Sequence, residues 1–108
     1  MVDESVVKVV RKYIKTLVEL GISVHYAVVF GSQAVGGQHP LSDIDLLVVS
    51  PLFDGTRKRE DVNSLWHIAA RIDSRIEPIA VGQRQYEEDD SSAIIEIARR
   101  EGQVISLT

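Results

Sequence analysis

Asp43 and Asp45 open an apolar run, Asp43-Ile44-Asp45-Leu46-Leu47-Val48-Val49. Ten residues separate them from a Gly31-Ser32 pair that closes another apolar run, Val28-Val29-Phe30. In an extended strand alternate side chains share a face, so both carboxylates project to one side while Ile44 and Leu46 take the other. Two like charges at about 4 Å repel by roughly 4 kcal/mol at an effective dielectric of about 20. A folded chain keeps such a pair where a cation neutralises it. Carboxylate oxygens suit Mg²⁺, which is held by one or two carboxylates together with substrate phosphates. The Gly-Ser turn is where those phosphates would go, because glycine lets the backbone approach a ligand and the N–H groups at a helix start attract anions. Either feature alone is most often ordinary surface, a solvated acid pair or a simple turn. The two in this order and at this spacing point to a metal–nucleotide complex.

The elements that must position these residues are legible in the hydropathy pattern. An amphipathic helix is predicted over 5–20, where Val6, Val10, Tyr13, Leu17 and Leu20 recur at helical steps. Asp3, Glu4 and Ser5 suit its start, Gly21 suits its end, and Lys8, Arg11, Lys12 and Lys15 form its solvated face. Residues 23–30 read as a strand, apolar on both faces at its end and therefore central. A helical turn over 32–35 and a loop over 36–40 lead to a second strand at 43–50, and Asp54-Gly55 marks a bend. Asp61 is expected to cap a helix running through Ile72, with Val62, Leu65, Trp66, Ala69 and Ile72 inward. A third strand covers 75–81, in which Pro78 cannot donate a ladder hydrogen bond and so indicates an edge or a bulge. A charged connection over 83–92, a helix over 93–100 with Ile94, Ile97 and Ala98 on its stripe, and a short strand over 103–107 complete the chain. The order αβαβαβαβ predicts a single α/β (α+β) domain over 1–108, a small mixed β-sheet flanked by helices.

Composition narrows the function classes. At 108 residues, 44% hydrophobic and 26% charged, the chain is an ordinary globular domain. A net charge of −4, from 12 basic and 16 acidic residues, argues against a broad nucleic-acid surface, which needs basic patches. A nucleotide held through a metal needs none. The absence of cysteine excludes a disulfide framework, a thiolate metal site and a thiol nucleophile. The acidic start Met1-Val2-Asp3-Glu4 is unlike a signal peptide, and no apolar run is long enough for a membrane span, so a cytoplasmic protein is expected. His25, His39 and His67 lack ligand spacing, and Arg57-Lys58-Arg59 reads as a solvated charge run.

Phosphoryl transfer with two metals needs more than two carboxylates, so a third acid is expected on a neighbouring strand, level with Asp43 and Asp45. Glu77 is the only acid within the third strand; a surface edge residue is its other reading, with Asp73 the next acid to consider.

Gly31-Ser32, ten intervening residues and Ser42-Asp43-Ile44-Asp45-Leu46 resemble the signature of the DNA-polymerase-β-type nucleotidyltransferase superfamily, and within it the minimal nucleotidyltransferase (MNT) group. The likeness covers nearly the whole chain. It implies the nucleotidyltransferase fold and attack of a hydroxyl on the α-phosphate of a nucleoside triphosphate, ATP foremost, with pyrophosphate leaving. By the same resemblance Asp43, Asp45 and Glu77 are the catalytic acids and the ligands of Mg²⁺ or Mn²⁺, and Gly31, Ser32 and Gln33 contact the nucleotide. Many relatives carry Asp where this chain has Glu77. Arginines often follow the Gly-Ser pair in the group, whereas this chain has Gln33-Ala34-Val35.

The resemblance also implies a partner. Minimal nucleotidyltransferases resemble antitoxins that pair with a helical HEPN-family protein in a toxin–antitoxin system and can adenylylate it. The acceptor platform is therefore expected on another chain, a HEPN-type partner or a second copy in a homo-oligomer. A non-catalytic nucleotide- or partner-binding module that keeps the fold is the alternative.

Overall fold

A computed structural model describes residues 2–31, 34 and 43–107. Helix α1 (Glu4–Glu19) leads into strand β1 (Tyr26–Phe30). Strand β2 (Ile44–Ser50) is followed by a 3₁₀ turn at Pro51–Phe53, helix α2 (Arg59–Ile72) and strand β3 (Ile76–Gly82). Helices α3 (Gln83–Glu88) and α4 (Ala93–Glu101) precede strand β4 (Gln103–Ile105). The strands form one mixed sheet in the order β3-β2-β1-β4, with β2 and β3 parallel and β1 antiparallel to both β2 and β4. The expected mixed sheet flanked by helices is borne out. β1 is central, and Pro78 lies on an edge strand. The expected turn over 32–35 and loop over 36–40 fall, apart from Ala34, outside the described residues.

Strand alternation gives the sheet two apolar faces. Ala27, Val29, Ile44, Leu46, Val48, Ile76 and Ile105 pack beneath α1 and α2; Val28, Leu47, Val49 and Val81 pack against Ile95 and Ala98 of α4. Asp45 and Glu77 occupy odd positions of β2 and β3 and therefore share the second face. In the parallel ladder Ile44 N–H donates to Arg75 O at 2.7 Å. Odd residues of β3 thus turn their amides toward β2 and even residues turn theirs outward. Pro78, being even, loses its N–H where no ladder partner needs it.

Local chemistry fixes α1 as expected at both ends. Asp3 accepts from Ser5 N–H at 2.9 Å, and Gly21 closes the helix with φ of 93°. Tyr13 is fully buried, and its hydroxyl donates to Leu65 O at 2.7 Å, tying α1 to α2. Leu20, expected in the core, is the C-cap and is exposed, while Ile14 is buried in its helix.

Three further expectations are corrected. The helix α2 begins at Arg59, so Asp61 is in its first turn rather than at its cap, where it still complements the helix dipole. Trp66 is 46% exposed rather than core. It sits about 100° round the helix from Leu65, and Ile68 fills the sector on the other side of the buried stripe. On α4 the buried pair is Ile95 and Ala98, leaving Ile94 and Ile97 exposed. Gly102 brings the end of α4 hard onto β1: a Cβ there would lie 2.7 Å from Val28 Cγ1 and 2.9 Å from Val29 O. That docking, not the helix's own apolar count, selects its inward face.

The charged connection expected over 83–92 contains helix α3. Its start is capped from elsewhere: the Asp54 carboxylate accepts from Arg84 N–H at 3.3 Å and Gln85 N–H at 3.4 Å. Asp54→Ala is expected to lower stability by about 1 kcal/mol and to speed amide exchange selectively over 83–88. Unchanged protection there would show that α3 stands without this cap.

Candidate active site

The second sheet face ends, at the mouth of the Gly31 turn, in a row drawn from three strands. Phe30 of β1 stands opposite Asp45 of β2, and Asp45 stands level with Glu77 of β3. Asp43 is exposed just ahead of β2, on the same side as Asp45 by strand alternation. Partial burial, the Asp43 charge, and a hydrogen bond with and the charge of Asp45 together hold the Glu77 carboxyl above the usual carboxylate range. Like charges close by and a loss of hydration both favour the neutral form of Glu77. Although β3 is an edge strand, Glu77 is level with Asp45 and makes a side-chain hydrogen bond with it.

Gly31 has φ of 74°, and a Cβ placed on it would lie 2.5 Å from Asp45 Oδ2. Glycine is required twice over, for the left-handed backbone and for the space the carboxylate occupies. Ala34 is buried, and its N–H donates to Gly31 O at 3.1 Å. Ser32 and Gln33, expected at the nucleotide, lie outside the described residues.

Asp73, the next acid considered, does not join the row. Its carboxylate is engaged by the Arg75 guanidinium at 2.7 Å, and a side-chain hydrogen bond from Arg75 keeps it below the usual carboxylate range. The sequence reading missed both this Asp73–Arg75 pair and Phe30 as the residue opposite Asp45. The Asp-x-Arg spacing at a strand entry was the available signal for the first. His25 and His67 are exposed, and His39 is not among the described residues. Arg57, Lys58 and Arg59 are exposed as expected, with Arg57 donating to Gln85 Oε1.

Carboxylate oxygens are hard donors, and an unneutralised group of them fits a hard divalent cation such as Mg²⁺ or Mn²⁺. Among the described residues no three acids, histidines or cysteines already converge as a closed cage. The site's acids are aligned by register rather than drawn onto a common point.

This fold is the one found in nucleotidyltransferases. A candidate nucleotidyltransferase from Sulfolobus solfataricus superposes with a TM-score of 0.60 at 15% identity, covering 91% of this chain and 77% of that one. A toxin–antitoxin crystallised with AMP-PNP gives 0.60 at 22% identity over 91% of this chain and 73% of its own. A mutant of the toxin–antitoxin MntA-HpeT gives 0.61 at 22% identity over 100% and 75%. No curated protein matches the chain. Residues 7–104 match the nucleotidyltransferase domain family, and the chain belongs to that family. Among the described residues no helix is long and apolar enough to cross a membrane.

Proposed function

We propose that this protein is a metal-dependent nucleotidyltransferase that moves an NMP, AMP from ATP in the first instance, onto a hydroxyl acceptor on a partner protein. The observation that carries the proposal is the register that sets Glu77 level with Asp45 beside the Gly31 turn. Asp43, Asp45 and Glu77 would hold Mg²⁺ or Mn²⁺, which supplies charge neutralisation to the triphosphate when bound. The acceptor oxygen attacks the α-phosphorus, forming the new P–O bond as the bond to the β-phosphate oxygen breaks and pyrophosphate leaves. Glu77 takes the acceptor's proton. Partial burial and the nearby Asp43 and Asp45 charges favour its protonated form, which suits a group that must accept a proton during the reaction. The likeness to toxin–antitoxin proteins, one of them bound to AMP-PNP, supports the partner half of the reading. There the chain acts as an antitoxin and the acceptor is a hydroxyl of a helical HEPN-type partner.

Glu77→Gln is expected to keep nucleotide binding within a few-fold, since Asp43 and Asp45 remain, while transfer falls by about 10²-fold or more. Glu77→Asp keeps the charge with a shorter reach and should retain part of the activity. Transfer of labelled AMP to the partner or to an added hydroxyl compound measures both. Transfer by Glu77→Gln at the wild-type rate would return Glu77 to an edge-strand surface role. The competing reading, a binding module without catalysis, draws on Gln33-Ala34-Val35 in the place of arginines. It is established if the wild type binds ATP and transfers nothing.

A further inference from the structure

The two edges of the sheet are guarded differently. On β3, Pro78 takes away one of the N–H groups that would point outward. β4, Gln103–Ile105, has neither proline nor charge, and among the described residues no strand pairs with its outer side. Beside it lies an apolar strip. Val104 stands opposite Val28 and so takes the second sheet face, where it is 55% exposed. Helix α4 sits over β1, with Ile95 and Ala98 packed with Val28 and Gly102 hard against the strand. Arg99, on one flank of that buried pair, reaches the Tyr86 and Gln85 carbonyls of α3, and α3 packs against β2 and β3. The opposite flank therefore faces β4, and it carries Ile94 and Ile97, both exposed. We propose that this edge and strip are where a second copy of the chain docks, β4 against β4, antiparallel about Val104. The inference goes beyond the nucleotidyltransferase reading and does not depend on it.

A second copy fits because an antiparallel edge is its own complement: a two-fold axis at Val104 pairs Gln103 with Ile105 and Val104 with its own counterpart. It also fits in spacing. The β1 strands of the two copies would stand three strand spacings apart, about 14 Å. Helices of about 10–12 Å diameter riding on them then meet flank to flank, with Ile94 and Ile97 of each closing over the Val104 pair. A lone strand added to the edge would leave those isoleucines open. Arg100 already lies between the nearest acids, 3.8 Å from Glu96 and 3.9 Å from Glu101, so little net charge opposes the contact. The interface is small, and a reversible dimer of micromolar affinity is expected rather than an obligate one. Because the two-fold reverses the strands, the two acid rows lie at opposite ends of the joined sheet.

Light scattering of the purified chain over rising micromolar concentrations should show the mass climbing from one chain to two. Ile97→Glu and Val104→Lys, both at exposed positions, should melt as wild type does and remain single chains throughout. The chain has no cysteine, so Val104→Cys introduces a single thiol. On the axis the two Cα atoms would be about 4.5–5.5 Å apart, within disulfide range, and mild oxidation should link most of the protein into a dimer. Lys12→Cys, exposed on the outer face of α1, should stay largely unlinked at the same concentration. A wild type that stays a single chain at every concentration overturns the proposal and leaves the strip to a different partner. A dimer that survives both substitutions, or one that Val104→Cys fails to link, overturns it by placing the contact elsewhere.

Discussion

Replacing Asp45 with asparagine should lower nucleotidyl transfer by about 10²-fold or more while leaving the fold at least as stable as before at neutral pH. Asp45 is the middle of the acid row, level with Glu77 and against Gly31. Asparagine keeps its size and loses the charge that the phosphate chemistry needs. The stability half follows from Glu77, whose carboxyl is raised by partial burial, by the Asp43 charge and by Asp45. A carboxyl raised on folding binds protons more readily in the native state, so its contribution favours folding at low pH and turns unfavourable as pH rises through the folded value. Removing the Asp45 charge relieves that term above it. The gain over wild type should therefore be larger at neutral pH than near pH 4, roughly the free carboxyl value. Thermal melting in EDTA-containing buffer at both values measures it, alongside the transfer assay. A clear loss of stability at neutral pH would assign Asp45 to the scaffold instead of the chemistry.

Gly31→Ala is expected to damage both stability and activity, for separable reasons. The left-handed backbone costs a residue with a Cβ about 1–2 kcal/mol. The new methyl would also meet Asp45 Oδ2 at 2.5 Å. Because that oxygen ends a movable side chain, the clash is relieved by swinging the carboxylate away, which costs little stability and removes it from the row. Transfer should fall by about 10²-fold, the scale on which misplacing a reacting group acts. In an Asp45→Ala background the same substitution should cost only the backbone term, since nothing is left to collide with. Melting of the four proteins in this cycle should therefore be close to additive, and a large coupling would show that the carboxylate cannot swing clear. A Gly31→Ala protein as stable and active as wild type would remove both requirements placed on the glycine.

Much of this site is written in short stretches of chain. Alternation along β2 puts Asp43 and Asp45 on one face whatever the strand packs against, and an edge strand was legible in Pro78, whose missing N–H tolerates few other places. Gly21 and Asp3 could be read as helix ends because caps act within a few residues of the groups they satisfy. What could not be read is what depends on partners distant in sequence. Helix α3 was hidden because its cap, Asp54, lies about thirty residues earlier and meets it only after β3 has paired with β2. Trp66, Ile94 and Ile97 were assigned to the core because periodicity reports that a helix has an apolar flank, not how much of it a neighbour covers. The alignment of Glu77 with Asp45 is of the same kind. A strand's pattern names the face on which its acid lies, but the level at which it meets another strand is set by how the crossover helix α2 seats on the sheet, and a slip of a single pair would send Glu77 elsewhere.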